Sequence, residues 1–166
     1  MRQRGKMRVA MMAVFATVLL VPVSSRGSNT HERTTMRKNG TEKDMNSHKM
    51  TITVNGHTLT ASLSDNSSAD ALRNMLSDGP ATVSMHDYAG MEKVGSIGRS
   101  LPRNDENITT KAGDLILYQG NQFVIYYAPN TWNFTRLGRI DHVSAAELEE
   151  ILGRGDVVVE LSLAED

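Results

Sequence analysis

Five histidines are the residues most ready for acid–base or metal chemistry in this 166-residue chain, and their spacing favours neither. His57, His86 and His142 stand far apart and form no His-x-His or His-Glu-x-x-His pattern, the spacings that bring two imidazoles to one ion. They read as surface or strand histidines, and His31 and His48 as solvated linker residues. Asp105 and Glu106 are adjacent. On a strand they would face opposite ways, so they do not form a working acid/base pair, and a loop fits them better. Gly95-Ser96-Ile97-Gly98 is too short for a phosphate cradle or a nucleophile elbow and reads as a flexible turn. The absence of cysteine excludes disulfides, thiolate metal sites and cysteine nucleophiles. No catalytic residue, metal-ligand set or cofactor is assigned.

Binding chemistry is better represented. Trp132, the single tryptophan, stands close to Asn130 and Asn133 and offers a flat amphipathic platform. Side chains alternate along a strand, so Gln122, Val124 and Tyr126 share one face of their run, and Phe123, Ile125 and Tyr127 the other. Arg99 and Arg136 are candidate anchors for a carboxylate or a peptide carbonyl. Tyr88 ends the His86-Asp87-Tyr88 segment, which leaves a strand for an irregular loop, where function tends to concentrate.

These residues need a scaffold, and the chain spells one out after Met50. Thr51–Val54 and His57–Leu63 alternate around Asn55-Gly56, the strongest short hairpin signal, with Ile52, Val54, Leu59, Ala61 and Leu63 on the buried face. Ser67 or Ser68 caps a helix through about Ser77, stopped by Gly79-Pro80, and Ser144 caps a second one, ended by Gly153. Strand patterns follow at Ala81–His86, Asp114–Tyr118, Phe123–Tyr127, Phe134–Ile140 and Asp156–Leu163. Tyr88–Asn107, rich in Gly, Pro and polar residues, reads as a long, partly irregular connection. Many short strands with two short helices make an all-β domain, and a closed or nearly closed antiparallel barrel is the economical arrangement.

Charge divides the chain into three parts. Residues 1–25 hold four basic and no acidic residues, and Arg2–Arg8 precede an uncharged apolar run, Val9–Val23. That is the layout of a signal peptide, with small residues for cleavage at Val23-Ser24-Ser25 or Ser25-Arg26-Gly27. The run is short for a span of about 20 residues, which leaves an uncleaved anchor as the alternative and predicts no stable membrane span once the leader is removed. Residues 26–49 are polar and read as a disordered linker. Residues 51–166 carry eight basic and sixteen acidic residues, a net charge of -8. Such a domain lacks the basic surface that a nucleic-acid grip requires. The expected organisation is a signal peptide at 1–25, a linker at 26–49 and a domain at 50–166 of an exported, periplasmic or secreted protein. The sequons at Asn39, Asn66, Asn107 and Asn133 matter only in a host that glycosylates exported proteins.

Gly120-Asn121-Gln122-Phe123-Val124-Ile125, then Ala128, Trp132 and Leu137-Gly138-Arg139-Ile140, resembles the central stretch of cyclophilins. Asn66-Ser67-Ser68, Met85–Tyr88, Glu92–Gly95, Ser100-Leu101-Pro102, Gly113-Asp114 and Leu117–Gln122 extend the likeness to the bacterial cyclophilin-like fold domains, over roughly residues 50 to 163. The resemblance implies a closed eight-stranded antiparallel barrel with a helix at each end. It puts the Phe123 set inside and Gln122, Val124 and Tyr126 outside, beside Trp132. Cyclophilins twist an X-Pro bond with an arginine polarising the prolyl amide, against a barrier of about 20 kcal/mol. Gln122 and Trp132 match pocket positions. Val124 replaces the pocket phenylalanine, and the Phe-His-Arg segment that supplies the arginine has no match, so Arg99, Arg103 or Arg136 would have to substitute. The expectation is a non-catalytic module for a peptide or small ligand held by Gln122, Val124, Tyr126, Trp132, Arg99, Arg136 and Tyr88. The alternatives are a peptidyl-prolyl cis-trans isomerase with a rearranged site, or an assembly part that meets an unidentified protein partner through strand edges or Trp132.

Overall fold

A computed structural model describes residues 48–165. Nine strands and two helices follow one another: β1 (Lys49–Val54), β2 (His57–Leu63), α1 (Ser67–Ser77), β3 (Ala81–Tyr88), β4 (Glu92–Ser96), β5 (Glu106–Thr109), β6 (Asp114–Tyr118), β7 (Gln122–Tyr126), β8 (Thr131–Ile140), α2 (Ala145–Leu152) and β9 (Val157–Leu163). The leader expected at 1–25 and almost all of the linker expected at 26–49 lie outside the described residues. Lys49, at the linker's end, already pairs with Ser62 in the first ladder.

The strands run in the order β2-β1-β9-β3-β4-β7-β6-β8, and β8 pairs back onto β2, which closes an eight-stranded antiparallel barrel. β5 is an extra strand on the first half of β8. Each turn is made by residues suited to it. Asn55 and Gly56 both take positive φ, 48° and 79°, as a two-residue turn between twisted strands requires. The closing seam has a tighter demand. A Cβ on Gly138 would lie 2.3 Å from the Ser62 carbonyl oxygen, so β8 and β2 meet this closely only because residue 138 has no side chain.

The interior is filled. Ile52, Ala61, Leu115, Leu117, Phe123, Ile125, Leu137, Val159 and Leu161 are fully buried in one apolar cluster, to which α1 contributes Leu72 and α2 contributes Leu148. Each of these side chains larger than alanine adds on the order of 1.5–3 kcal/mol relative to exposure. The expected inward sets, Ile52/Val54/Ala61/Leu63 and Phe123/Ile125/Tyr127, belong to it, and Leu59 packs against its margin.

The structure corrects several local expectations. Asn66, not Ser67 or Ser68, caps α1: its side chain accepts from the Ser68 and Ala69 amides at 3.1 and 2.9 Å. The Ser68 hydroxyl instead donates to the Pro102 carbonyl, 2.6 Å away. Strand β3 runs on through Tyr88, and the stretch expected to be an irregular connection contains β4 and β5. β4 is a full barrel strand between β3 and β7. β8 begins at Thr131 rather than Phe134, because β5 pairs with its first four residues.

One end of the barrel is tied by a polar cluster. Lys93 is fully buried, and its Nζ donates to Asp87 Oδ2 at 3.0 Å and to the Gly155 carbonyl at 2.8 Å. The Tyr127 hydroxyl donates to the same carboxylate oxygen at 2.5 Å. These hydrogen bonds, that from Tyr127 first, hold the Asp87 carboxyl below the usual carboxylate range.

Candidate binding site on the outer sheet face

On β4, Glu92 and Val94 face outward while Lys93 and Gly95 face inward, as alternation demands. Antiparallel register then fixes the neighbours of each outward residue. Glu92 stands opposite Tyr88 of β3 on one side and Tyr126 of β7 on the other. Two residues along, His86, Val94, Val124 and Ile116 form the next row. A third row sets Ser96 beside Gln122 and Gln122 beside Tyr118. Strand β8 contributes Phe134 and Trp132, the latter opposite Ile108 of β5.

These rows enclose a cleft of about 420 Å³ lined by His86, Tyr88, Glu92, Val94, Tyr118, Gln122, Tyr126, Asn130, Trp132 and Phe134. That volume lies in the range of small-molecule sites. Beneath it Ile116, Val124, Tyr126 and Phe134 form a second buried cluster, outside the barrel proper. Phe134 meets Tyr126 and Tyr118 with ring centroids 5.6 and 6.3 Å apart. Tyr88 and Trp132, at 58% and 61% exposure, stand at its mouth. β5 braces the Trp132 segment from behind through Ile108 and a Thr109–Thr131 hydroxyl pair at 2.8 Å.

The cleft's charge chemistry centres on one carboxyl. Glu92 is only 8% exposed, and its Oε2 is, among the described residues, the buried side-chain oxygen without a hydrogen-bond partner. Burial raises the Glu92 carboxyl above its ordinary range, while the hydrogen bond from Tyr126 and the charge of His86 pull it back. The Tyr126 hydroxyl is pushed well up, first by burial and then by the hydrogen bond to Glu92. Asn130 Nδ2 donates to it at 3.2 Å.

Four residues singled out by sequence line the cleft together: Tyr88, Gln122, Tyr126 and Trp132. Val124 lies in its floor cluster, 1% exposed, and presents no surface of its own. The two arginines do not line it. Arg99 is exposed in the segment after β4. Arg136 donates to Asp114 Oδ1 at 3.0 Å, and that aspartate is fully buried. Sequence reasoning missed Glu92, Val94, Tyr118 and Phe134 as lining residues, placed Asn130 only as a neighbour of Trp132, and ended the strand at His86, two residues short of Tyr88. A glutamate in a strand flanked by tyrosine-bearing strands was the signal available for Glu92, but β4 itself went unseen. Among the described residues no group of three or more His, Asp or Glu side chains gathers as a metal site.

A sequence profile of the cyclophilin-like family matches residues 52–162, which is β1 through β9 almost entire. The chain belongs to the cyclophilin-like family. Two solved structures share the barrel of this cyclophilin-like domain. One is McbB in complex with tryptophan, 18% identical, with a TM-score of 0.52 over 70% of this chain and 45% of McbB. The other is the hypothetical protein AF2241 from Archaeoglobus fulgidus, 13% identical, TM-score 0.52, over 70% of this chain and 95% of that one. At these identities the likeness is one of fold. No curated protein matches the chain by sequence.

Proposed function

We propose that this cyclophilin-like domain is a non-catalytic binding module, exported by its N-terminal leader, that holds a peptide or small ligand in the outer-face cleft. The observation that carries the reading is the assembly of Tyr88, Glu92, Gln122, Tyr126 and Trp132, from four different strands, around one concave apolar space with a few polar groups aimed into it. That combination is the ordinary make-up of a ligand site. McbB lends support from outside, as a chain sharing this barrel over part of its length that holds tryptophan. The isomerase alternative draws on Gln122 and Trp132, which share the cleft as they do in the family's pocket. It needs a guanidinium over the bound amide. Arg136 is committed to Asp114, and Arg103 to Asp105.

The test is a fragment and short-peptide screen read by the fluorescence of the single tryptophan, with affinities in the variants measured by calorimetry. Ligands that perturb Trp132 should lose at least tenfold in affinity on Trp132→Ala or Gln122→Ala, while the unfolding midpoint changes little because Trp132 is largely exposed. Unchanged affinity in both variants refutes the site. Cis-to-trans conversion of an X-Pro peptide should stay at the buffer rate, and acceleration abolished by Arg136→Ala would establish the isomerase instead.

A further inference from the structure

The ligand's chemical class follows from the walls of the cleft. Its lining includes no lysine or arginine; its charged or titratable groups are His86 and Tyr88 from β3, Glu92 from β4, Tyr118 from β6 and Tyr126 from β7. Lys93, next to Glu92 in sequence, points to the opposite face and is engaged by Asp87 and Gly155. Glu92 lines the cleft and holds a buried acceptor oxygen, Oε2, that no donor of the described residues satisfies. Around it stand Tyr88 and Tyr126 in the same cross-strand row, with Trp132, Tyr118 and Phe134 completing an aromatic enclosure. A hard metal cation demands several oxygen ligands at once, and one carboxyl among rings does not supply them. A weakly hydrated organic cation suits both features: ring faces attract it through their quadrupoles, and the carboxylate supplies the counter-charge and a hydrogen-bond acceptor.

We propose that the cleft takes a ligand bearing an ammonium group, seated at the Glu92 carboxyl between Tyr88 and Tyr126 with its apolar body against Trp132 and Phe134. This rests on the cleft's being a binding site and adds the class of its ligand. The ammonium group belongs either to a free aryl- or alkylamine or to a lysine side chain of a peptide. Binding draws Glu92 into its ionised form, so affinity rises with pH through the titration of that carboxyl. The charge of His86 reaches the same carboxyl from β3 and competes there with the ligand's ammonium.

The experiment uses the full chain and paired probes followed by Trp132 fluorescence and calorimetry. 2-Phenylethylamine is compared with 2-phenylethanol, and acetyl-Gly-Lys-Gly-amide with its norleucine counterpart. At least one charged member should bind tenfold or more tightly than its neutral pair. Glu92→Gln should remove that preference, so that the charged and neutral members of the pair bind alike. A preference confined to the first pair identifies a free amine, and one confined to the second a lysine side chain. Equal affinity within both pairs, a preference untouched by Glu92→Gln, or no binding by any of the four probes overturns the proposal. The cleft itself is judged separately, by whether any fragment from the wider screen loses affinity in Trp132→Ala.

Discussion

Glu92→Gln also makes a quantitative prediction about stability, independent of any ligand. The side chain is 8% exposed with one unpartnered oxygen, so the folded protein bears the desolvation of a carboxyl that water would otherwise solvate. Leaving a buried polar group unsatisfied costs about 1–3 kcal/mol. Glutamine keeps the shape and keeps an oxygen to accept from Tyr126, but places an equally unpartnered amide nitrogen where Oε2 was. The gain is therefore set at the low end, about 1 kcal/mol at pH 7. For a domain of this size that is a rise in Tm of roughly 3–5 °C. The pH dependence has a definite sign. Because burial raises the folded-state pKa above the ordinary 4.5, the folded chain holds a proton that the unfolded chain has released. Wild-type stability from this group is fully present below pH 4.5 and is lost as pH rises through the folded value. Denaturant unfolding of both proteins between pH 4 and 8, with m checked for constancy, should show the variant's advantage growing with pH and vanishing in acid. A Glu92→Gln protein that is less stable at pH 7, or whose advantage is largest in acid, would refute the burial argument.

Three further outcomes follow from the scaffold. Gly138→Ala drives a Cβ to within 2.3 Å of backbone at the closing seam and should cost about 3 kcal/mol in urea unfolding, whereas Gly56→Ala, with a positive φ but open space around it, should cost about 1–2. Asp87→Ala strands a fully buried ammonium and should cost about 3 kcal/mol, while Lys93→Met, which removes that charge, should cost no more than about 1; equal effects would show that Lys93 is not held as described. Acidification should remove the stability that the lowered Asp87 carboxyl supplies above its unfolded value of 3.8, as pH falls through the folded value, and Tyr127→Phe should shrink that acid-side loss.

The barrel was legible where apolar alternation and turn chemistry agree. Asn55-Gly56 announced the first hairpin, and the run from Gln122 to Tyr127 divided correctly into an inner set with Phe123 and an outer set with Tyr126. β4 was illegible because its residues 92 and 93 are glutamate and lysine, both buried, on opposite faces. Hydrophobic patterning treats two adjacent charges as solvent-facing, and here tertiary partners overrule it. β5 was missed for a simpler reason: it is four residues long and mostly exposed, and exists by pairing with β8. The cleft was half legible for the same cause. Its aromatic members sit on strands the pattern revealed, while the carboxyl at its centre sits on the strand it concealed. Arg136 lies off the cleft because Asp114 claims it, which a sequence does not say, and Arg99 stands exposed in the segment after β4.

The neighbouring charges of β4 have a consequence for how the chain finds its alignment. A shift of that strand by one position would thrust an acid against Asp87 and the Gly155 carbonyl at the buried end of the barrel and swing an amine into the aromatic hollow, away from both partners. Most strands resist slippage because greasy and polar sides would trade places. This one is keyed instead by two opposite ions, each acceptable in one compartment and intolerable in the other.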